Sequence, residues 1–311
     1  MAQVSIFARN QRWALLGIIL FFIGSCSNSV LFDGFGFSES VPEHYRNQSF
    51  NIDGSAFHTI TAKGLSNIAT TSGAMAARIS TGTPVVVLHG SNYDIEKTGL
   101  DNPHLTIYEV LRTMLKQEDQ YSLVGIGWSS VRFTPRNFIE AWSEGLPSPY
   151  SLTLRNTAAV VDGLETYLPQ IRGPYNLVCH SIGCDILSKA LARIDNLPDR
   201  ILMLSPDTSY KTIHDWAVHN KVSTLHLDAK NDGSLVFSKH AKENSGFVPA
   251  LDQNTYFRRI VDVEKYAPEW SRSNTVYGNP RRYWDHMATL ELQQLWPCYV
   301  SFLNLGKTNT C

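Results

Sequence analysis

Residues 176–187 place a serine in surroundings that suit a nucleophile. An apolar run leads into a tight turn that carries Ser181, and an amphipathic helical pattern follows. Such a strand–turn–helix arrangement strains the serine backbone and exposes the hydroxyl at the end of a strand. Strand and helix cross closely there, so the positions two before and two after the serine must be small. They hold Cys179 and Gly183, although glycine is usual at the first position, and the small residue Cys184 follows.

A second turn that could take part in chemistry ends the run at 84–90. The β-branched residues of this run predict a strand that is buried on both faces, as in a parallel sheet. Gly90 lets the backbone turn without a side chain, so that a following amide N–H can face a cavity. We interpret Ser91 as the donor of that amide. The His89 side chain is expected to hydrogen-bond within its own loop.

The rest of the chain predicts the elements that would hold these turns in place. Runs with strand character occur at 49–56, 57–62, 121–128, 201–204, 222–227 and 258–263. Helical patterns lie between them, including one at 153–168 and a C-terminal one that Pro297 interrupts. Strands alternating with helices predict an α/β fold with a doubly wound, mostly parallel sheet. The proline- and aromatic-rich connection at 129–151 is predicted to be a lid above the site.

Composition and charge exclude several classes of protein. The 311 residues are 43% hydrophobic and 18% charged, which is typical of a globular chain and not of a disordered one. This length suits one large α/β domain or two small ones. The net charge is −1 and no basic run is present, so the sequence predicts no nucleic-acid partner. We find no phosphate-binding loop and no clustered ligand pattern, which predicts a protein without a cofactor or a metal.

The N-terminus has the pattern of an export signal. Arg9 and Arg12 precede an uncharged apolar run at 13–23, which is short for a membrane span of roughly 20 residues. Two small residues and then Cys26 follow, which resembles the cleavage and lipidation site of bacterial lipoproteins. The sequence therefore predicts a lipid anchor on Cys26 and contact with a membrane through it.

These features predict how the chain is divided and where it is found. Residues 1–25 are predicted to be the signal peptide, residues 26–48 a linker and residues 49–311 the folded domain. Ser27 follows the cysteine, where lipoproteins retained in the inner membrane carry aspartate. By that resemblance we expect an outer-membrane lipoprotein of a bacterial cell envelope, facing the periplasm.

Four cysteines remain besides Cys26, and disulfides can form among them if the protein is exported to an oxidising compartment. Cys298 and Cys311 could form a disulfide that pins the C-terminal tail. Cys179 and Cys184 are expected to be small packing residues beside Ser181. A bridge between them is disfavoured, because disulfide geometry is demanding.

The order of the motifs resembles the α/β-hydrolase superfamily over residues 84–305, most of the predicted domain. Five short motifs carry the resemblance, each after a predicted strand: His89-Gly90, Trp128-Ser129-Ser130, Cys179 to Cys184, Ser205-Pro206-Asp207 and Asn231-Asp232-Gly233. Within that superfamily the chain is similar to a group of bacterial α/β-hydrolases of unassigned substrate. The resemblance implies a catalytic serine, acid and histidine in that order along the chain.

Ser181 is the predicted nucleophile, and it needs a base because a serine hydroxyl is a poor nucleophile at neutral pH. In the order of the superfamily the base follows the acid, and the sequence offers His240 and His286 after Asp232. His240 lies only eight residues beyond Asp232, too close to loop back over the serine. His286 is therefore the predicted general base.

Three aspartates compete for the role of the acid that orients this histidine. Asp232 is preferred, Asp207 is second because it follows the strand after the serine turn, and Asp228 is third. The amides of Ile182 and Ser91 are predicted to form the oxyanion hole. Loss of one such donor typically costs about 10²–10³ in rate.

The predicted activity is that of a serine hydrolase acting on a carboxylic ester, with a small-molecule or lipid substrate. An acyltransferase or a peptidase would use the same three residues, and a catalytically inactive envelope scaffold would keep only the fold. The sequence does not separate these alternatives, because the choice of acceptor depends on the connection at 129–151 and on the pocket.

Overall fold

The computed structural model describes residues 57–60, 83–91, 107–115, 121–128, 130, 135–146, 148–230, 232, 235, 238–247, 255–262, 286, 288–290 and 292–305. These residues all lie in a compact unit that spans Ser40–Cys311. The predicted signal peptide and linker, the strand at 49–56, Cys26 and Cys311 lie outside the described residues.

Among the described residues, seven parallel strands form one sheet, in the order β1-β3-β2-β4-β5-β6-β7. They are β1 (Phe57–Ile60), β2 (Thr83–Leu88), β3 (Tyr121–Trp128), β4 (Asn176–His180), β5 (Arg200–Leu204), β6 (Ser223–Ala229) and β7 (Tyr256–Val261). The strand order changes direction at β2, since β1 and β3 lie on one side of it and β4 to β7 on the other. The prediction of an α/β fold with a doubly wound, mostly parallel sheet is confirmed.

The described helices flank this sheet. They are α1 (Glu109–Leu115), α2 (Pro135–Ser143), α3 (Pro149–Tyr167), α4 (Ile182–Leu191), α5 (Tyr210–Asn220), α6 (Ala241–Ser245) and α7 (Trp296–Leu305). Helix α3 packs against α4, and α1 packs against α7.

Two prolines mark helix starts that the sequence patterns misplaced. Pro149 lies in the first turn of α3, which therefore begins four residues before the predicted helix at 153–168. Pro297 is the second residue of α7. The helical residues 286 and 288–290 are separated from α7 by Leu292 and a 3₁₀ turn at Gln293–Leu295, so the predicted interruption lies just before Pro297. The first turn of a helix tolerates proline because the missing N–H has no partner there.

The centre of the sheet is fully buried, and the turns that carry the predicted site residues lie at one edge of it. Every residue of β4 is buried, and Trp128 at the end of β3 is 0% exposed. Because all strands are parallel, their C-terminal ends share one edge of the sheet. The turns after β2, β4, β5 and β6 therefore meet there, and ligands usually bind at the same edge, where the strand order changes direction.

Candidate active site

Ser181 occupies the turn between β4 and α4 with a backbone that L-residues rarely adopt. Its φ is 55° and its ψ −134°, and the residue is 7% exposed. Such a backbone costs roughly 1–3 kcal/mol and persists only where the surroundings fix it. The Ser181 N–H donates to Leu204 O at 3.1 Å, and the Ser181 carbonyl accepts the N–H groups of Cys184 and Asp207, each at 3.0 Å. The turn therefore has the strained geometry of a nucleophile elbow.

Two glycines bring the turn after β2 against this serine. A Cβ on Gly90 would lie only 2.6 Å from the Cβ of Ser181. A Cβ on Gly183 would lie 2.5 Å from the carbonyl oxygen of His89. A side chain at either position would push the two turns apart, so their contact requires glycine at both.

The two predicted oxyanion donors lie beside this contact. Ile182 is the first residue of α4, so its amide is among the N-terminal N–H groups that have no acceptor within the helix. The positive end of the helix dipole lies behind that amide. Ser91 directly follows Gly90 on the other turn. Both amides belong to backbone next to Ser181, and their role as oxyanion donors stays a prediction.

His89 and Trp128 fix the turn after β2. The Nδ1–H of His89 donates to Gly90 O at 2.7 Å, so its Nε2 accepts the backbone N–H of Trp128 at 3.0 Å. The Trp128 indole N–H donates to His89 O at 3.0 Å, and the two rings stack with centroids 5.3 Å apart. Burial lowers the pKa of His89 to about 3, so its ring is neutral. His89 thus holds its own loop, as the sequence analysis expected.

His286 and Asp232 form a buried hydrogen-bonded pair. The His286 Nδ1 lies 2.6 Å from Asp232 Oδ2, and the two side chains are 11% and 3% exposed. An ionised carboxylate only accepts, so Nδ1 carries the proton and Nε2 keeps its lone pair. Burial alone favours the neutral ring, but the charge and the hydrogen bond of Asp232 outweigh it and hold the pKa of His286 above its usual value. A neutral imidazole that is held in this tautomer can accept a proton at Nε2.

The residue before the serine joins these two parts of the site. His180 Nε2 lies 3.3 Å from the backbone oxygen of His286, and the two rings have centroids 4.8 Å apart. This contact places His286 at the same edge of the sheet as Ser181. None of the described contacts joins the Ser181 hydroxyl directly to His286. Catalytic hydrogen bonds are often long before a substrate binds.

Asp207 is close to the serine but is bound by other partners. Its two carboxylate oxygens accept the hydroxyls of Tyr150 and Ser238, and its backbone N–H donates to Ser181 O. Tyr150 lies in the first turn of α3, inside the predicted lid at 129–151. Asp207 therefore ties the start of α3 to the elbow and is not the carboxylate bonded to His286.

Asp228 belongs to a separate buried cluster. Its carboxylate accepts from Tyr210 at 3.0 Å, pairs with His226 at 2.7 Å, and binds the Arg258 guanidinium through Nε at 2.9 Å. Burial acts to raise the pKa of Asp228, but His226 and Arg258 outweigh it and leave that pKa below its usual value. Of the three aspartates, Asp232 alone lies against the His286 ring.

Asp185 and His240 lie together, away from this pair. The Asp185 carboxylate is 2.6 Å from Lys189 Nζ and 3.0 Å from Lys239 Nζ. His240 Nε2 lies 3.4 Å from the other Asp185 oxygen, an ion-pair distance without an aligned hydrogen bond. The structure therefore pairs His286 with Asp232, the preferred acid, and places His240 beside Asp185.

The cysteines beside the serine differ from expectation. Cys179 and Cys184 form a disulfide with their Cα atoms 5.1 Å apart, so the expectation of two packing thiols was wrong. The end of β4 and the first turn of α4 lie close enough across the elbow to meet the demanding geometry. Cys298 is buried and disulfide-bonded, but its partner lies outside the described residues, as does Cys311.

Two negative findings concern the part of the chain that the structure describes. In that part, no group of three or more histidine, cysteine, aspartate or glutamate side chains could hold a metal ion. No helix in that part is both long enough and apolar enough to cross a membrane.

Two residues at the site were not singled out from the sequence. His180 contacts the backbone of His286, and the available signal was its place directly before Ser181. Tyr150 contacts Asp207, and the available signal was only its place in the predicted lid. Both contacts join residues far apart in the chain, so a local pattern does not reveal them.

Comparison with known proteins adds little to this geometry. The sequence matches no protein family and no curated protein. Among solved structures, the chain resembles an acylaminoacyl peptidase of Pyrococcus horikoshii, with 14% identity and a TM-score of 0.29. The alignment covers 69% of this chain and only 38% of the peptidase chain. A similarity at this level carries no information about the activity of this chain.

Proposed function

We propose that this chain is a serine hydrolase that cleaves carboxylic esters, with Ser181 as nucleophile, His286 as general base and Asp232 as the orienting acid. The observation that carries the proposal is the 2.6 Å pair of His286 Nδ1 and Asp232 Oδ2. The pair lies at the sheet edge that also presents a serine with a φ of 55°. The contact of His180 with the His286 backbone supports their proximity.

Each residue has a defined part in the proposed reaction. The Ser181 oxygen attacks the ester carbonyl while its proton passes to Nε2 of His286. The N–H groups of Ile182 and Ser91 stabilise the negative carbonyl oxygen. Asp232 stays ionised and stabilises the imidazolium. The intermediate collapses to an acyl-enzyme, and the departing alcohol takes the proton from His286.

The second half of the reaction releases the acid. Water attacks the acyl carbon and gives its proton to Nε2 of His286. The tetrahedral intermediate then breaks its bond to the serine oxygen, which regains the proton from His286. The carboxylic acid leaves and Ser181 is restored. The reaction consumes one ester and one water, and the protons that move between them pass through His286.

An ester with an apolar acyl chain is the proposed substrate class. Helix α2, inside the predicted lid, exposes Phe138, Ile139 and Trp142 by 43%, 68% and 51%. Large exposed apolar side chains grouped on one helix are typical of surfaces that contact apolar ligands or lipid. Tyr150 links the following helix to Asp207 beside the serine, which supports a place for this region near the substrate.

We also propose that the protein works outside the cytoplasm, anchored through a lipid on Cys26. Two observations support this location: the disulfide of Cys179 with Cys184 and the disulfide-bonded state of Cys298. Cytoplasmic thiols are usually kept reduced, whereas disulfides persist in the cell envelope. Fractionation of cells that produce the full chain tests the proposal. The protein should be found with membranes, and Cys26→Ser should release it.

The activity is tested with purified protein and nitrophenyl esters of increasing acyl length. Ser181→Ala should abolish turnover, since it removes the nucleophile. Ser188→Ala is a matched control, because this serine lies on the adjacent helix and its hydroxyl contacts Asp185 O and Thr208 among the described residues. Turnover that persists in Ser181→Ala would refute the proposed function.

A further inference from the structure

His180 lies between the two halves of the proposed catalytic centre. The residue is 2% exposed and directly precedes Ser181. Its Nε2 lies 3.3 Å from His286 O, and its ring lies 4.8 Å from the His286 ring. On its other side, Nδ1 would lie 3.2 Å from a Cβ placed on Gly90, in the turn that leads to Ser91.

The partners of the ring define its protonation state. A carbonyl oxygen only accepts, so the contact with His286 O places a hydrogen on Nε2 of His180. Nδ1 is buried without a hydrogen-bond partner and therefore keeps its lone pair. Burial, together with the charge of His286 and the nearby ring of His89, lowers the pKa of His180 well below its usual value. The ring is therefore a neutral donor to the backbone of His286.

The described residues that follow His286 have hydrogen-bond partners of their own. Thr289 bonds to Ser205 through its hydroxyl at 2.9 Å and to Tyr299 through its carbonyl, and the Trp296 indole donates to Leu290 O at 3.2 Å. These contacts fix residues three and four positions after His286, and the described side chain that contacts the His286 carbonyl is that of His180. The charged groups that act on the His286 ring are Asp232, Asp207 and Asp228.

We propose that His180 is a positioning residue: its Nε2–H holds the His286 carbonyl and thereby keeps the His286 ring in place between Asp232 and Ser181. The inference rests on the proposed function. Misplacing a reacting group by about 1 Å typically costs about 10²-fold in rate. Removal of the Nε2 donor is therefore expected to lower kcat by about that factor while leaving KM largely unchanged.

Two isosteric amide variants test the donor itself. In His180→Gln the amide nitrogen can occupy the place of Nε2, whereas in His180→Asn it reaches only the place of Nδ1. Both variants stay neutral and polar. We expect His180→Gln to keep kcat within about threefold of the wild type and His180→Asn to lose about 10²-fold. Rates are measured with a nitrophenyl ester and divided by the fraction of sites that a fluorophosphonate titrates, so that loss of folded protein does not count.

A pH profile separates positioning from simple support of the fold. If His286 moves away from Asp232, its raised pKa falls, so the acid limb of kcat/KM should move to lower pH in His180→Asn and not in His180→Gln. His226→Gln is the matched control, since His226 is equally buried but bonds to Tyr256 and Asp228. It should lower the thermal midpoint without lowering the rate per titrated site.

The outcomes are distinguishable. Equal rates per titrated site in His180→Gln and His180→Asn, whether high or low, would overturn the inference while leaving the hydrolase intact. A wild type that a fluorophosphonate does not label would refute the proposed function, and the inference with it. If His180→Asn does not fold, the nitrogen-15 shifts of His180 in the wild type decide. A non-titrating Nε2–H tautomer from pH 4 to 9 is expected, and an Nδ1–H tautomer would overturn the inference.

Discussion

Replacement of Asp232 by asparagine tests the pair at the centre of the proposed site. The change keeps the size of the side chain and removes its charge. In the wild type, Asp232 Oδ2 accepts the Nδ1–H of His286 at 2.6 Å, and its Oδ1 accepts the N–H of Leu235 at 3.3 Å. An asparagine can instead present its NH₂ group to the ring, which would favour the tautomer with the hydrogen on Nε2. That tautomer cannot accept the proton of Ser181.

The size of the effect follows from the geometry. The carboxylate stabilises an imidazolium whose charge centre is about 4 Å away, which corresponds to about 4 kcal/mol at an effective dielectric constant of about 20. Each 1.4 kcal/mol is a factor of ten in rate, so this term alone predicts a loss of about 10³ in kcat. The wrong tautomer adds to it, and serine triads elsewhere lose about 10⁴ on this change. We therefore expect a loss of about 10³–10⁴ in Asp232→Asn.

The pH dependence gives a second, independent signal. His286 must be neutral to act as base, so activity rises with pH through its pKa, which Asp232 holds above the usual value despite burial. Removing the charge lowers that pKa, so the acid limb of kcat/KM should move to lower pH. The assay is hydrolysis of a nitrophenyl ester from pH 5 to 9 with the wild type and Asp232→Asn.

Two aspartates provide matched controls. Asp228→Asn should lower the thermal midpoint, because it breaks the contacts of a buried carboxylate with His226 and Arg258. It should move the acid limb less than Asp232→Asn does, because Asp228 acts on His286 more weakly than Asp232 and is not bonded to it. Asp207→Asn should have a smaller effect on kcat than Asp232→Asn, since its carboxylate bonds to Tyr150 and Ser238. A larger loss in Asp207→Asn, or an unchanged acid limb in Asp232→Asn, would refute the reasoning.

Three further changes test the elbow and its surroundings. Gly183→Ala should cost about 1–3 kcal/mol and lower the thermal midpoint, because its Cβ would lie 2.5 Å from His89 O, and an unchanged midpoint would contradict that contact. Cys179→Ala/Cys184→Ala should cost about 2 kcal/mol in urea unfolding from the short loop alone. Both sulfurs are fully buried, so the native protein should resist mild reductants, and rapid reduction would contradict their burial. Asp185→Asn should make stability less dependent on pH below about 4. In the wild type, contacts with His240, Lys189 and Lys239 outweigh burial and lower the pKa of Asp185. The ionised carboxylate therefore stabilises the fold at neutral pH, and this stabilisation is lost as the carboxylate protonates. Equal acid unfolding of variant and wild type by circular dichroism would contradict the last expectation.

Local patterns predicted the elbow because its constraints are local. The pattern at 176–187 is an apolar run followed by a serine and a nearby glycine. This pattern alone predicts that a strand and a helix meet at close range. The structure adds the reason for Gly183, which is the close approach of the backbone oxygen of His89 in the turn after β2. Parallel pairing could also be predicted, since the β-branched run at 84–88 is buried on both faces.

Contacts between distant segments could not be read from such patterns. The approach of His180 to His286 joins residues more than a hundred positions apart, and the choice among Asp232, Asp207 and Asp228 depends on which of them faces the ring. Their ranking from the sequence rested on the order of motifs in the superfamily that the chain resembles and on which strand each aspartate follows. The structure separates them by their partners.

The disulfide at the elbow shows a different limit. Spacing alone makes a bridge between Cys179 and Cys184 unfavourable in most settings, because few turns bring such near neighbours into the required geometry. The strained backbone of Ser181 turns the chain back sharply enough to bring their Cα atoms to 5.1 Å. Local sequence patterns indicate a turn at Ser181 but do not give the distance between the two cysteines across it.

Peptide mapping after reaction with a fluorophosphonate tests the central claim most directly. The wild type should carry one phosphonyl group, on Ser181, and labelling should slow by orders of magnitude in His286→Ala. Ser188→Ala should be labelled like the wild type. An adduct on another serine, or equal labelling of wild type and His286→Ala, would contradict a nucleophile at Ser181 that is activated by His286.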